Sequence, residues 1–264
     1  MRLLDQLLIH NSCYAAGKVL HPDGVMIHST GANNPNVSRY VPGNNEIGFN
    51  TAGNHWDQSN AQWQAKFGTN LNKCVHAFIG KTADGSVATV QTLPFTMRGW
   101  HAGDGEGNDH YIGFEICEDG LDDPEYFAAV YREAVEFVTH LCRLRGWDPL
   151  EDGVVICHAE GYRRGIASNH GDVLHWFPKH GKSMDDFRAD VARELEGEDD
   201  MSYEKFVEYM KRYEEEKAAQ PASEWAKAGL EQAKDRGITD GKRPQSYATR
   251  QEVALMVRSA VYAQ

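Results

Sequence analysis

Hydrophobic and polar positions follow two different periods along the first 195 residues of the chain. Short apolar runs, of the length typical of buried strands, occur at residues 25–30, 75–80, 87–93, 111–117 and 154–157. Helical periodicity, with apolar residues at spacings of three and four, covers residues 59–67, 124–145 and 183–195. Because strands and helices interleave, the sequence predicts an α/β fold, a central mixed β-sheet flanked by helices.

The longest predicted helix carries start and stop signals at its two ends. Asp123 can cap its first turn, Pro124 suits the first helical position, and Gly146 can end the helix. A buried stripe runs between these ends, from Phe127 to Leu141. The pattern therefore predicts one helix over residues 124–145.

The composition changes after Leu195 and predicts three segments: a large first domain over residues 1–197, a helical linker over 198–222, and a small helical module over 223–264. Residues 196–200 form an acidic junction typical of a domain boundary. Thr249 and Glu252 form a capping box that opens the last helix. The final module is too short to bury a large core, so we expect it to lean on a neighbour or form a homo-oligomer.

Charge and composition exclude several classes of partner. The formal net charge of −12 argues against nucleic acid and against an anionic membrane surface, and no apolar run reaches the length of a membrane span. The first twelve residues, MRLLDQLLIHNS, lack a cleavage site and make a poor signal peptide. An odd number of cysteines, five, without a CxxC pair indicates free thiols. We expect synthesis in the cytoplasm without a signal peptide.

Two apolar runs end in a histidine, which suggests a metal site. His28 lies near the end of the run 25–30, and His158 follows the run 154–157 directly. His170 and Asp172 lie in the loop beyond His158. Histidine nitrogens and aspartate oxygens are ordinary zinc ligands, and a catalytic zinc takes three protein ligands. The alternative is that these are surface or hydrogen-bonded residues, as most of the twelve histidines in the chain must be.

One acidic residue, Glu115, lies inside an otherwise apolar strand. Alternation places it on the same face as Gly113 and Cys117. Small neighbours leave room for a ligand beside the carboxylate, and an isolated buried charge is costly. Glu115 is therefore either a functional acid or a residue of an edge strand that faces water.

Several short motifs occur in an order that resembles a known family. They are His28 at a strand end, Trp-His-Ala-Gly at 100–103, Ile-Gly-Phe-Glu-Ile at 112–116, His158, and His170-x-Asp172. Together they resemble the zinc-dependent type-2 N-acetylmuramoyl-L-alanine amidases, which include bacteriophage lysins and peptidoglycan recognition proteins. The resemblance covers about residues 20–195. Segments at 225–227, 237–241 and 248–252 are similar to an S-layer-homology repeat.

The resemblance implies roles for individual residues. It implies a zinc ion (Zn2+) on His28, His158 and Asp172, with His175 close enough to compete as the third ligand. It implies catalytic roles for Glu115 and His170. It also implies substrate contacts, for which we take His76, Trp100, His101 and Asn108.

The function that the resemblance implies is hydrolysis of the amide bond between N-acetylmuramic acid and L-alanine in bacterial peptidoglycan. The protein would be a phage or prophage endolysin that acts on the cell wall after release, and its final module would hold a cell-wall polymer. One alternative is a non-catalytic peptidoglycan-binding protein on the same fold. A second is an unrelated α/β metal hydrolase.

Overall fold

A computed structural model of the chain describes residues 1–198 and 203–262, so part of the predicted linker and the last two residues lie outside the described residues. Its six strands form one sheet in the order β1-β4-β3-β5-β2-β6. Only the β3–β4 pair is antiparallel among the described strands. The strands are β1 (Leu3–Asp5), β2 (Gly24–Ser29), β3 (Ala77–Lys81), β4 (Val87–Gln91), β5 (Tyr111–Ile116) and β6 (Val155–Cys157).

Helices cover and follow this sheet, and the predicted fold class is confirmed. The helix over residues 124–145 has the predicted bounds. The Asp123 side chain accepts hydrogen bonds from the backbone N–H groups of Glu125 and Tyr126 at its start, and Gly146 has the left-handed conformation at its end. The helices are α1 (Ser12–Ala16), α2 (Asn60–Phe67), α3 (Gly107–His110), α4 (Pro124–Arg145), α5 (His158–Arg163), α6 (Met184–Glu198), α7 (Tyr203–Ala219), α8 (Glu224–Asp235) and α9 (Arg250–Tyr262).

The two faces of the central strands are buried against different groups of residues. Ile112, Phe114 and Ile116 of β5 pack with α4 in the largest apolar cluster. Their neighbours on the opposite face include Glu115, which pairs in register with His28 of β2 and with Phe78 of β3. Because paired residues of adjacent strands point to the same side of a sheet, His28 and Glu115 face the same side.

The chain divides into two compact units, Met1–Gly197 and Glu198–Gln264. The three buried apolar clusters consist of residues of the first unit. In the second unit, α8 and α9 contain no buried residue within their described lengths. None of the described helices is both long enough and apolar enough to cross a membrane.

Candidate metal centre and active site

Two parallel strands bring the two predicted histidine ligands to one edge of the sheet. Ile27 of β2 pairs with Cys157 of β6, so the residues that follow these two in the chain, His28 and His158, reach the same edge. His28 is 2% exposed and His158 is 4% exposed. His158 is also the first residue of α5, where the chain leaves the sheet.

Asp172 completes a group of three potential metal ligands with these histidines. Its Oδ2 atom lies 3.2 Å from Nδ1 of His28 and 3.0 Å from Nδ1 of His158. The two Nδ1 atoms are themselves 3.0 Å apart. The three ligand atoms therefore form a nearly equilateral triangle at the sheet edge.

The backbone at Asp172 is held in an uncommon conformation. Asp172 has φ of 44° and begins a short 3₁₀ turn, Asp172–His175. Aspartate adopts this left-handed region more readily than most residues, and such strain is often found at functional sites. Burial alone would raise the pKa of Asp172, but the His158 and His28 imidazoles beside its carboxylate outweigh burial and hold the pKa below its ordinary value. Asp172 is therefore ionised at neutral pH.

His175, the competing third ligand, lies elsewhere. Its Nε2 atom is 3.0 Å from Oε1 of the buried residue Glu118, and it does not belong to the group that Asp172 completes. The structure thus brings Asp172 to the two histidines and pairs His175 with a carboxylate.

The donor set fits a zinc ion. Two imidazoles and one carboxylate are a ligand set of catalytic zinc sites. Ligands about 2.0–2.1 Å from a tetrahedral ion stand about 3.3 Å apart, close to the separations found between the three ligand atoms. Burial, partly opposed by Asp172, lowers the pKa of His28, which keeps that imidazole neutral and able to bind a metal.

Glu115 lies in the same cavity as this group. The cavity has a volume of about 340 Å³ and is lined by His28, Glu115, His158 and Asp172, among others. Oε2 of Glu115 is buried without a hydrogen-bond partner among the described residues. Burial, together with the Asp172 carboxylate, raises the pKa of Glu115 well above its ordinary value. The alternative of an edge-strand acid in water does not fit, because β5 lies inside the sheet.

Ser168 connects His158 to His170. Its Oγ atom is 3.2 Å from Nε2 of His158 and 3.0 Å from Nδ1 of His170. His170 is exposed and also lines the cavity. Sequence reasoning missed Ser168, and its only signal is its place in the loop that joins the two histidines.

The predicted substrate contacts divide into two pairs. Trp100 and His101 line the cavity. His76 and Asn108 are fully buried and are not among the described residues that line it. The structure thus brings Trp100 and His101 to the cavity and places His76 and Asn108 outside its lining.

His76 and Asn108 bond to the backbone. The Nδ1 atom of His76 accepts from the N–H of Gly113 at 3.0 Å, and its Nε2 atom donates to the carbonyl of Met97 at 2.8 Å. Oδ1 of Asn108 accepts from the N–H groups of His101 and Ala102 at 2.7 and 2.9 Å. Asn108 therefore holds the loop that carries His101.

The chain belongs to the Amidase_2 family of N-acetylmuramoyl-L-alanine amidases. The family's sequence profile matches residues 18–174, more than half of the chain. This span contains Glu115, His170 and the three ligand candidates that the structure brings together, His28, His158 and Asp172. The chain is also similar to the N-acetylmuramoyl-L-alanine amidase XlyB of Bacillus subtilis (strain 168), with 43% identity over 61 residues. That alignment covers 22% of this chain and 19% of XlyB, so the chain spans about a fifth of this curated relative.

Solved structures align with this fold at low sequence identity. The Staphylococcus aureus hydrolase AmiA, in complex with its ligand, aligns at 17% identity with a TM-score of 0.49, covering 74% of this chain and 83% of AmiA. PlyL aligns at 17% identity with a TM-score of 0.48, covering 72% of this chain and 97% of PlyL. The family assignment rests on the sequence match over residues 18–174.

Proposed function

We propose that the protein is a zinc-dependent amidase that hydrolyses the bond between N-acetylmuramic acid and L-alanine in peptidoglycan. The observation that carries this proposal is the triangle of His28, His158 and Asp172 ligand atoms in one cavity with Glu115. Membership of the amidase family supports the choice of bond. When bound to this triangle, zinc would activate water and polarise the scissile carbonyl.

Glu115 carries out the proton transfers in this proposal. Its carboxylate accepts a proton from the attacking water and returns it to the leaving nitrogen of L-alanine. A general acid–base works best when its pKa lies near the working pH, and the buried position of Glu115 raises its pKa in that direction. Asp172, whose pKa is lowered, stays ionised and serves as a ligand.

His170 stabilises the oxyanion that develops on the scissile carbonyl. Ser168 can donate its hydroxyl hydrogen to Nδ1 of His170, which leaves the Nε2–H of a neutral ring as a donor. His170 is exposed on the cavity wall, so it can reach a substrate there. A positioned donor of this kind strengthens as charge develops in the transition state.

We further propose that the catalytic domain spans residues 1–197, that 198–222 is a linker, and that 223–264 is a cell-wall-binding module similar to an S-layer-homology repeat. The protein would then be a phage or prophage endolysin. If this assignment holds, soluble wall fragments should compete with intact cell walls for binding to the second unit.

Digestion of purified peptidoglycan, followed by mass spectrometry of the products, tests the proposed reaction. We expect free L-alanine amino termini on the peptides and free lactyl carboxylates on the glycan strands. Removal of metal with a chelator should stop the reaction, and added zinc should restore it.

Two other results would reject the proposal in different ways. Binding to peptidoglycan without any product would indicate a non-catalytic recognition protein. Cleavage of a different bond, or cleavage that survives complete removal of metal, would indicate a different hydrolase on this fold.

A further inference from the structure

We propose that His101 is a positioning residue that fixes the tautomer of His28 and so presents Nδ1 of His28 to the metal. This inference rests on the proposed zinc site, and it replaces the substrate contact that the sequence resemblance implies for His101. It concerns the three-residue relay Tyr111–His101–His28, in which every hydrogen bond has one possible direction.

The relay begins at a backbone carbonyl. Nε2 of His101 lies 3.1 Å from the carbonyl oxygen of Tyr111, which can only accept a hydrogen bond. Nε2 of His101 must therefore carry the proton. His101 is 8% exposed, and a neutral imidazole has one donor and one acceptor nitrogen, so Nδ1 of His101 is the acceptor.

The second hydrogen bond passes this direction to His28. Nε2 of His28 lies 3.0 Å from Nδ1 of His101. Since Nδ1 of His101 accepts, Nε2 of His28 must donate. The neutral ring of His28 then has its lone pair on Nδ1, the atom that faces Asp172 and His158. Metal-binding histidines commonly have the tautomer fixed by a partner at the other nitrogen.

Two glycines leave the space that the His101 ring occupies. A Cβ atom at Gly113 would lie 2.3 Å from Cγ of His101, and one at Gly99 would lie 3.2 Å from its Cδ2. Both glycines lack a positive φ, so they are needed here for space. The space beside Glu115 that the small residue Gly113 leaves is thus filled by His101, while Asn108 holds the His101 backbone.

Trp100 and His101 are adjacent but have different partners. The backbone of Trp100 pairs with that of Cys74 in both directions, at 2.8 and 3.0 Å, and its side chain is partly exposed. Both ring nitrogens of His101 are occupied by protein partners. A substrate that formed a hydrogen bond with His101 would have to displace one of these partners. We therefore assign His101 the role of positioning the metal ligand His28.

Zinc affinity of the metal-free full-length protein, measured by competition with a chromogenic chelator, tests the proposal. His101→Leu fills the space of the imidazole but removes the hydrogen-bond acceptor for His28. We expect the zinc Kd to rise about 10–100-fold, the usual effect of losing the hydrogen-bond partner of a metal ligand. His101→Asn places an oxygen acceptor near the position of Nδ1. It should keep the Kd within about threefold of the wild type, well below that usual effect.

His76→Leu is the matched control. It removes another fully buried imidazole, whose ring centroid is 5.9 Å from that of His101 and whose nitrogens bond only to backbone among the described residues. We expect lower stability with a nearly unchanged zinc Kd. Equal loss of zinc affinity in His76→Leu and His101→Leu would overturn the proposal, because a general loosening of the fold would then explain both losses. An unchanged zinc Kd in His101→Leu would also overturn it.

Long-range ¹H–¹⁵N correlation spectra of the zinc-loaded wild type give a test that no folding defect can obscure. We expect the proton of His28 on Nε2 and that of His101 on Nε2. A proton on Nδ1 of His28 would overturn the proposal. Failure of the wild type to bind zinc at all would instead reject the proposed function, so the two failures are distinguishable.

Discussion

The Glu115 side chain combines a raised pKa with a place on the wall of the ligand cavity. We expect Glu115→Gln to retain the fold and the zinc affinity, because the amide keeps the shape of the carboxylate. We expect the rate of peptidoglycan hydrolysis to fall by about 10²–10⁴-fold, the usual loss when a general acid–base is removed. Rates on soluble muropeptides and a parallel zinc titration measure these two effects.

Glu118→Gln is the matched control for this change. Glu118 is a second acid near the end of β5 and is buried, with 4% exposed, but it pairs with His175. This variant should keep most of the activity. A wild-type rate in Glu115→Gln would show that Glu115 is not the base, and loss of zinc in that variant would make Glu115 a ligand.

The third ligand can be decided by a pair of alanine variants. Asp172→Ala removes the carboxylate that contacts both histidines. The zinc Kd should rise by more than the roughly 10–100-fold that is typical when a metal ligand loses its hydrogen-bond partner. His175→Ala should bind zinc as the wild type does, since His175 is held by Glu118. Metal analysis after dialysis measures the occupancy of both. The reverse result would assign the third ligand to His175.

At the scale of single elements, the sequence predicts those that carry local signals. The bounds of α4 follow from Asp123, Pro124 and Gly146, which act within one turn of the helix ends. By contrast, the apolar runs that predict strands begin at residue 25, so the sequence pattern does not predict β1. β1 is only three residues long, with Leu3 and Asp5 exposed, and it forms by pairing with β4, far along the chain.

The residues of the candidate site also divide into those that the sequence predicts and those that it does not. His28 and His158 were predicted from strand ends, and parallel pairing of β2 with β6 explains why they meet. The contacts of Ser168 and His101 depend on loops that fold back over the sheet edge, for which a sequence has no period to read. Gly113 was noted as a small neighbour of Glu115, but a glycine inside a strand also marks a close approach by another group, here the His101 ring.

Helices α4 and α6 are joined by an ionic cluster centred on Asp190. Its Oδ2 atom accepts hydrogen bonds from Tyr131 of α4 at 2.8 Å and from Lys182 at 2.7 Å, and Oδ1 accepts from Arg193. Burial alone would raise the pKa of Asp190, but these hydrogen bonds outweigh it and lower the pKa. The carboxylate is therefore stabilised in its charged form in the folded protein.

We expect Asp190→Asn to lower the free energy of unfolding at pH 7 by about 1–3 kcal/mol, the usual cost of losing hydrogen bonds to a charged group. A group whose pKa is lowered by folding stabilises the protein above its unfolded pKa of about 3.9, and this stabilisation is lost as the pH falls through the folded pKa. The difference between wild type and variant should therefore be constant above about pH 5 and shrink below pH 4.

Denaturant unfolding of both proteins across this pH range checks the prediction. Asp185→Asn is the control, because Asp185 lies on the same helix with a side chain that is 93% exposed, and an exposed ion pair contributes little. A difference for Asp190→Asn that is independent of pH would show that packing, and not the ionised carboxylate, accounts for the stability.

At the scale of the whole molecule, the two units differ in how much apolar surface they bury. The first contains the three apolar clusters, including the Phe114–Phe137 contact between the sheet and α4. In the second, aromatic residues of α7 such as Tyr209 and Tyr213 are about half exposed. A unit with little buried apolar surface has a small hydrophobic contribution to its stability, so we assign the stable core to the first unit.

The last prediction concerns a truncated protein that ends at Gly197. Every proposed ligand and catalytic residue lies within Met1–Gly197, as do the three apolar clusters. We therefore expect the truncated protein to fold, to bind zinc with the affinity of the full chain, and to hydrolyse soluble muropeptides at the same rate. Its binding to intact cell walls should fall if residues 223–264 hold a wall polymer. Thermal melting, zinc titration and a wall sedimentation assay measure these properties side by side. A truncated protein that aggregates or fails to bind zinc would show that the second unit is needed to complete the catalytic fold, and full retention of wall binding would remove the basis for assigning that role to the second unit.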